Sequence, residues 1–141
     1  MVAPWAVAVA GIFVWLGMVL AISFIEAPLK FRAPGVTLQL GLGIGRLVFR
    51  ALNTAELVLG AAVLVALALQ PPPLQVMVAI LVAVVALAAQ LLAVRPRLTR
   101  RSDAVLAGEV GARSRAHYVY VGFEVIKVIA LLVSGILLLA A

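Results

Sequence analysis

The chain has 141 residues and a formal net charge of +6, with 67% hydrophobic and 11% charged residues. Soluble domains average about 45–50% apolar and about 25% charged residues, so an ordinary cytosolic enzyme and a disordered chain are both excluded. An integral membrane protein fits. The absence of cysteine also excludes disulfide scaffolds, thiolate nucleophiles and cysteine-ligated clusters.

A membrane-crossing helix needs about 20 mostly apolar residues, and four segments qualify, at about 5–26, 44–69, 74–95 and 117–140. The first carries no charge between Trp5 and Ile25 and ends at Glu26. Its uncharged N-terminal flank, and an apolar run longer than the roughly 7–15 residues of a signal h-region, predict a retained span. Ala27-Pro28 and Ala33-Pro34-Gly35 are expected to break the chain after it, and Pro71-Pro72-Pro73 to break it between spans two and three. A basic loop, 96–116, precedes span four, and Ser102-Asp103 predicts the cap of a short surface helix through Ala104–Ala112. The predicted fold is one all-α domain, a polytopic bundle of four transmembrane helices.

Ten of the eleven basic residues gather at one end. Lys30, Arg32, Arg46 and Arg50 follow span one, while Arg95, Arg97, Arg100, Arg101, Arg113 and Arg115 lie between spans three and four. Positive charge favours the cytoplasmic side, which predicts that both termini are extracytoplasmic and that the membrane is the bacterial inner membrane. Arg46, Arg50, Arg95, Arg97, Arg100 and Arg101 then serve topology or contact anionic lipid headgroups. No nucleic-acid partner is expected, because Arg95–Arg101 begins where an apolar span ends and has no interleaved aromatics. Gly41, Gly43 and Gly45 resemble a phosphate loop only in spacing, since no strand precedes them. Close helix packing or a flexible lead into span two is the expected use.

Ionisable side chains inside a bilayer cost roughly 2.5–3.5 kcal/mol each on insertion scales and normally face the protein interior. On span four, His117, Tyr120, Glu124, Lys127 and Ser134 fall on one helical stripe, with Leu131 in its gap. Arg46, Arg50, Asn53, Glu56 and Gly60 form a second stripe on span two. Gln90 lies one turn inside the basic end of span three. At about 1.5 Å per residue, Glu124 lies about 12 Å inside the membrane. The depths of Glu26, Asn53, Glu56, Gln90, His117, Tyr120, Glu124 and Lys127 predict a polar chamber in the cytoplasmic half of the bundle, open to that side and able to bind a substrate or ion. Glu124 and Lys127, three residues apart, can pair.

The single histidine makes bis-histidine haem ligation within one protomer impossible. His117 with Glu56 and Glu124 would give an N/O set suited to a divalent metal. Tyr118 and Tyr120, with Trp5 at the opposite end, fit interfacial aromatic belts, while Trp15, in mid-span, is expected to pack. No serine–histidine–carboxylate set stands out; acid–base chemistry by Glu124 or Glu56 is physically possible, but nothing identifies a reaction and no catalytic residue is assigned.

Ala27-Pro28-Leu29-Lys30-Phe31 after the first span, and Gly45-Arg46-Leu47-Val48-Phe49 opening the second, resemble elements of the four-span transmembrane protein 205-like family. His117 at the start of the last span is similar to a histidine often found there. The resemblance implies a four-helix fold with Pro28, Phe31, Arg46 and His117 near one membrane face, and no particular activity. Ala55-Glu56-Leu57-Val58-Leu59-Gly60 more distantly resembles DoxX-like proteins.

Function is expected to be the binding or movement of a small solute, metal ion or protons, by a homo-oligomer or within a larger membrane complex. The rival is a non-catalytic accessory or assembly subunit whose buried charges fix helix packing. A membrane-embedded enzyme or cofactor-binding protein is the third.

Overall fold

In a computed structural model, residues 1–107 and 115–141 are described, with 115 and 116 described by backbone only. Their regular structure is helical. Helix α1 (Ala3–Val19) runs through a π-helical segment (Leu20–Glu26), α2 (Ala27–Leu29) and a 3-10 turn (Lys30–Arg32). Helix α3 (Leu38–Leu69) is continuous, α4 (Leu74–Ala89) leads through a second π segment (Gln90–Val94) into α5 (Arg95–Leu106), and α6 (Arg115–Ala140) closes the chain. Four helices among the described residues are long and apolar enough to cross a membrane: Ala3–Arg32, Leu38–Leu69, Leu74–Leu106 and His117–Ala140.

These boundaries correct three expectations. Pro28 does not end the first span, which continues to Arg32 and stops at Ala33-Pro34-Gly35, where Gly35 takes a φ of +81°. Span two begins at Leu38 rather than near residue 44, capped by the Thr37 hydroxyl, which accepts the Leu40 N–H at 3.1 Å as an N-cap should. The loop expected from residue 96 starts instead as a helix. Ser102 and Asp103 lie inside α5 and do not cap a helix. The rest of that expected surface helix, 108–112, and Arg113 lie outside the described residues.

Each π segment ends two residues before a proline. Ala27, preceding Pro28, donates its N–H to the Ile22 carbonyl, and Arg95, preceding Pro96, donates to the Gln90 carbonyl, each five residues back. Proline has no N–H, and its ring collides with the carbonyl four residues behind. A widened turn relieves that collision without breaking the helix.

The closest helix pairings are α1 with α3, α1 with α6, and α4 with α6. Trp15, Ile12, Val63, Ile80, Leu131 and Leu138 are fully or almost fully buried in the apolar core. Glycines set how closely the backbones approach. A Cβ on Gly135 would stand 2.7 Å from the Phe13 ring, and a Cβ on Gly41 would overlap the Phe31 ring. Gly41 and Gly45 are buried within α3, one turn apart, beneath Phe31 and Lys30 respectively. The glycine run therefore seats the end of span one on the start of span two, while Gly43 between them meets no neighbouring atom.

Candidate functional site

The core of the bundle holds a closed ionic cluster rather than an open chamber. Glu56, Gln90 and Lys127 are 0% exposed and Glu124 is 1% exposed. The Lys127 ammonium lies 2.5 Å from Glu56 Oε1, 2.5 Å from Glu124 Oε1 and 2.8 Å from Gln90 Oε1. A lysine has three donors, and here each has an acceptor. Gln90 turns its amide N–H group to Glu124 Oε1 at 2.9 Å and to the Tyr120 carbonyl at 3.2 Å. Trp15 Nε1 donates to Glu56 Oε1 at 2.9 Å, and the Ser23 hydroxyl donates to Glu124 Oε2. Every span contributes. On α6 the cluster runs from Glu124 to Lys127, about 10–15 Å from His117 at 1.5 Å per residue, in the half of the span nearer the basic residues.

Helical periodicity explains the span-four contribution. Tyr120, Glu124, Lys127, Leu131 and Ser134 are all buried, whereas Val119, Val121, Ile126, Ile129 and Leu132 lie on the exposed faces. On span two, Asn53, Glu56 and Gly60 are buried, with Gly60 leaving room for the Trp15 ring 3.4 Å from where its Cβ would be.

Other predicted residues lie elsewhere. Glu26 pairs with Lys30 at 3.7 Å, one turn on, and does not join the cluster's bonds. Asn53 is buried with Oδ1 unpartnered. His117 is half-buried, its ring edge-to-face with Tyr118 at 5.5 Å. The trio of His117, Glu56 and Glu124 is not assembled as a metal site: among the described residues, no group of three His, Cys, Asp or Glu side chains could hold a metal ion. Tyr118 is exposed, as an interfacial residue would be, but Tyr120 is buried, its ring edge-to-face with Phe49 at 6.0 Å. At the far end, Trp5 Nε1 donates to the Gln70 carbonyl at 2.8 Å.

Among the arginines, Arg46 bonds Asp103, tying α3 to α5, and remains partly exposed. Arg50, Arg97 and Arg100 are exposed. Arg101 is half-buried. Arg95 is lodged over the Phe49 and Tyr120 rings, at 5.4 and 5.5 Å from their centres.

Two cluster residues escape a reading of the sequence, Trp15 and Ser23. Each carries a polar group on an otherwise apolar span, and such groups need partners where water is absent. Eight residues at 100° each would put Ser23 about 80° round the helix from Trp15. The wider π turn from Leu20 lags behind that rotation and brings Ser23 back toward the Trp15 face.

This arrangement fits a membrane-protein helix bundle with a buried, fully enclosed ion cluster at its centre. Compared with protein-family models, curated proteins and solved structures, the chain matches none.

Proposed function

We propose that the protein is a small inner-membrane transporter or channel-like subunit whose buried cluster binds and exchanges a proton. The observation that carries this reading is a count of charge. Two carboxylates, Glu56 and Glu124, share one ammonium, Lys127, in a site closed to water. An uncompensated buried charge is costly, by several kcal/mol per ion even after relaxation, so one additional proton restores neutrality. Glu56 Oε2 is buried and has no hydrogen-bond partner, making Glu56 the place for that proton. Both oxygens of Glu124, by contrast, already have donors, in Lys127, Gln90 and Ser23. A metal ion is the weaker cargo, because Lys127 already stands between the two carboxylates.

The basic end faces the cytoplasm in this reading, with both termini on the other side, as the positive-inside tendency favours. Exposed Arg50, Arg97 and Arg100 meet anionic headgroups there. A homo-oligomer is the working form, because four spans leave little protein to alternate access around one site. The transmembrane protein 205-like resemblance is consistent with this layout.

Difference infrared spectroscopy of the protein in nanodiscs, across a pH step, tests the reading. The wild type should show a protonated-carboxyl band that Glu56→Gln removes, and in liposomes the same variant should slow collapse of an imposed pH gradient. No such band, and equal gradient collapse in wild type and variant, would sink it.

The accessory-subunit reading is favoured by a different observation: the cluster joins all four spans. Under it, the double substitution Glu124→Gln with Lys127→Met restores much of the stability and partner recovery lost in either single variant, with no proton movement in any form.

A further inference from the structure

Two acceptor atoms in the middle of α3 are buried with nothing to accept: Glu56 Oε2 and Asn53 Oδ1. Asn53 is 8% exposed and Glu56 0%. The two residues stand three apart on the inward stripe of one helix. Side chains at that spacing are neighbours, with Cβ atoms about 5–6 Å apart, and polar pairs there can share a hydrogen bond.

The cluster's donors are committed elsewhere. Lys127 and Trp15 give to the other Glu56 oxygen. Gln90 gives to Glu124 and the Tyr120 carbonyl, and Ser23 to Glu124. Thr54, beside Asn53 in sequence, donates to the Arg50 carbonyl of its own helix. The Tyr120 hydroxyl, buried on α6, bonds neither oxygen. Buried polar atoms are normally satisfied, and each one left unmatched carries a desolvation penalty. A single proton removes both penalties and needs no cavity to hold it. On Glu56 Oε2 it turns an acceptor into a donor, and Asn53 Oδ1 is the acceptor one helical turn away. The charges agree, because Glu56 and Glu124 together exceed Lys127, the cation bonded to both, by one. A neutral amide at position 53 adds nothing to that surplus, whereas a carboxylate there would enlarge it.

Resting on the proton exchange proposed above, we infer that Asn53 is the positioning residue for the proton of Glu56. A proton taken up by the carboxylate forms the Oε2–H bond, which donates to Asn53 Oδ1 and leaves Oε1 to Lys127 and Trp15. When that proton departs, Glu56 is a carboxylate again. Half a turn of the Asn53 amide then presents its N–H group to Oε2 in place of its oxygen. One side chain thus serves both protonation states.

The chain contains a single asparagine, so a heavy carbon isotope at the asparagine side-chain carbonyl reports on Asn53 alone. Difference infrared spectra of the labelled protein in nanodiscs, across a pH step, read this carbonyl together with the protonated carboxyl of Glu56. In the wild type the Asn53 carbonyl should shift to lower frequency as Glu56 is protonated, and Glu56→Gln should abolish that response. Asn53→Leu removes the acceptor and should move the carboxyl band to higher frequency. An Asn53 carbonyl that ignores the step overturns the inference, as does a carboxyl band at one frequency in wild type and Asn53→Leu; either result leaves the proton on Glu56. Absence of any carboxyl band that depends on Glu56 overturns the proton-exchange reading as well. Coupled bands with no effect of Glu56→Gln on gradient collapse would keep Asn53 in this role and remove transport. The label needs no substitution, so it decides the matter even if Asn53→Leu fails to fold.

Discussion

Lys127 on α6 and Glu56 on α3 meet at 2.5 Å, although neither helix has the other as a close backbone partner. The long lysine side chain crosses the gap that the packing of α1 on both helices leaves. It also occupies the centre of the cluster, since Glu124 and Gln90 accept from the same ammonium.

Removing Lys127 therefore strands two carboxylates at once. Lys127→Met should destabilise the protein by about 3–5 kcal/mol, the usual effect of breaking a buried pair from one side. The triple variant that adds Glu56→Gln and Glu124→Gln should recover more than half of that loss. Reversible unfolding in mixed micelles would measure both, and a triple variant no more stable than the single one would show that charge is not what holds the cluster together.

Trp15 tests a single hydrogen bond. Trp15→Phe keeps an aromatic ring against Gly60 but deletes the N–H that Glu56 Oε1 accepts at 2.9 Å. A loss of about 0.5–1.5 kcal/mol is expected, the usual net contribution of a hydrogen bond, read from the same unfolding transition. A loss below about 0.5 kcal/mol would mean that Lys127 satisfies Glu56 without help.

The glycines of α3 should differ sharply. Gly41→Ala drives a methyl into the Phe31 ring, and overpacking of this kind costs about 1–3 kcal/mol. Gly43→Ala meets nothing within 4 Å and should be neutral or stabilising, by up to about 1 kcal/mol from helix propensity. Parallel melting curves of the two variants would check the contrast, and equal effects would refute the seating of Phe31 on Gly41.

Arg46 and Asp103 bond at the basic end, with Asp103 59% exposed. Water and salt screen such a pair, so Asp103→Asn should cost no more than about 1 kcal/mol. The effect should fade as salt rises toward 1 M, where the Debye length falls to about 3 Å.

Paired π turns give a conformational test. Pro28→Ala and Pro96→Ala restore a backbone N–H and remove the ring collision that favours the widened turn. Each helix should then relax toward regular α geometry, turning Ser23 or Gln90 away from Glu124. Side-chain cross-linking or solid-state NMR distances from Glu124 to these residues should lengthen, and unchanged distances would show that packing alone maintains the π turns.

The sequence by itself determines the number of spans, the end at which basic residues collect, and the inward faces of spans two and four. Those features follow from local rules: apolar length, charge placement and a period of 3.6 residues, none of which needs a partner helix. Tertiary structure decides which inward faces meet and how completely they close. Helix rotation alone does not say that Glu56 reaches Lys127, that Glu26 instead turns to Lys30, or that His117 packs with Tyr118. Packing also brings in Trp15 and Ser23, whose polar atoms are small features of an apolar span until a carboxylate stands opposite. The π turns upstream of Pro28 and Pro96 matter most here. They shift the helical phase within a span, so a fixed 100° step counted along the sequence places Ser23 on the wrong face, and only the folded chain shows where the extra residues are absorbed.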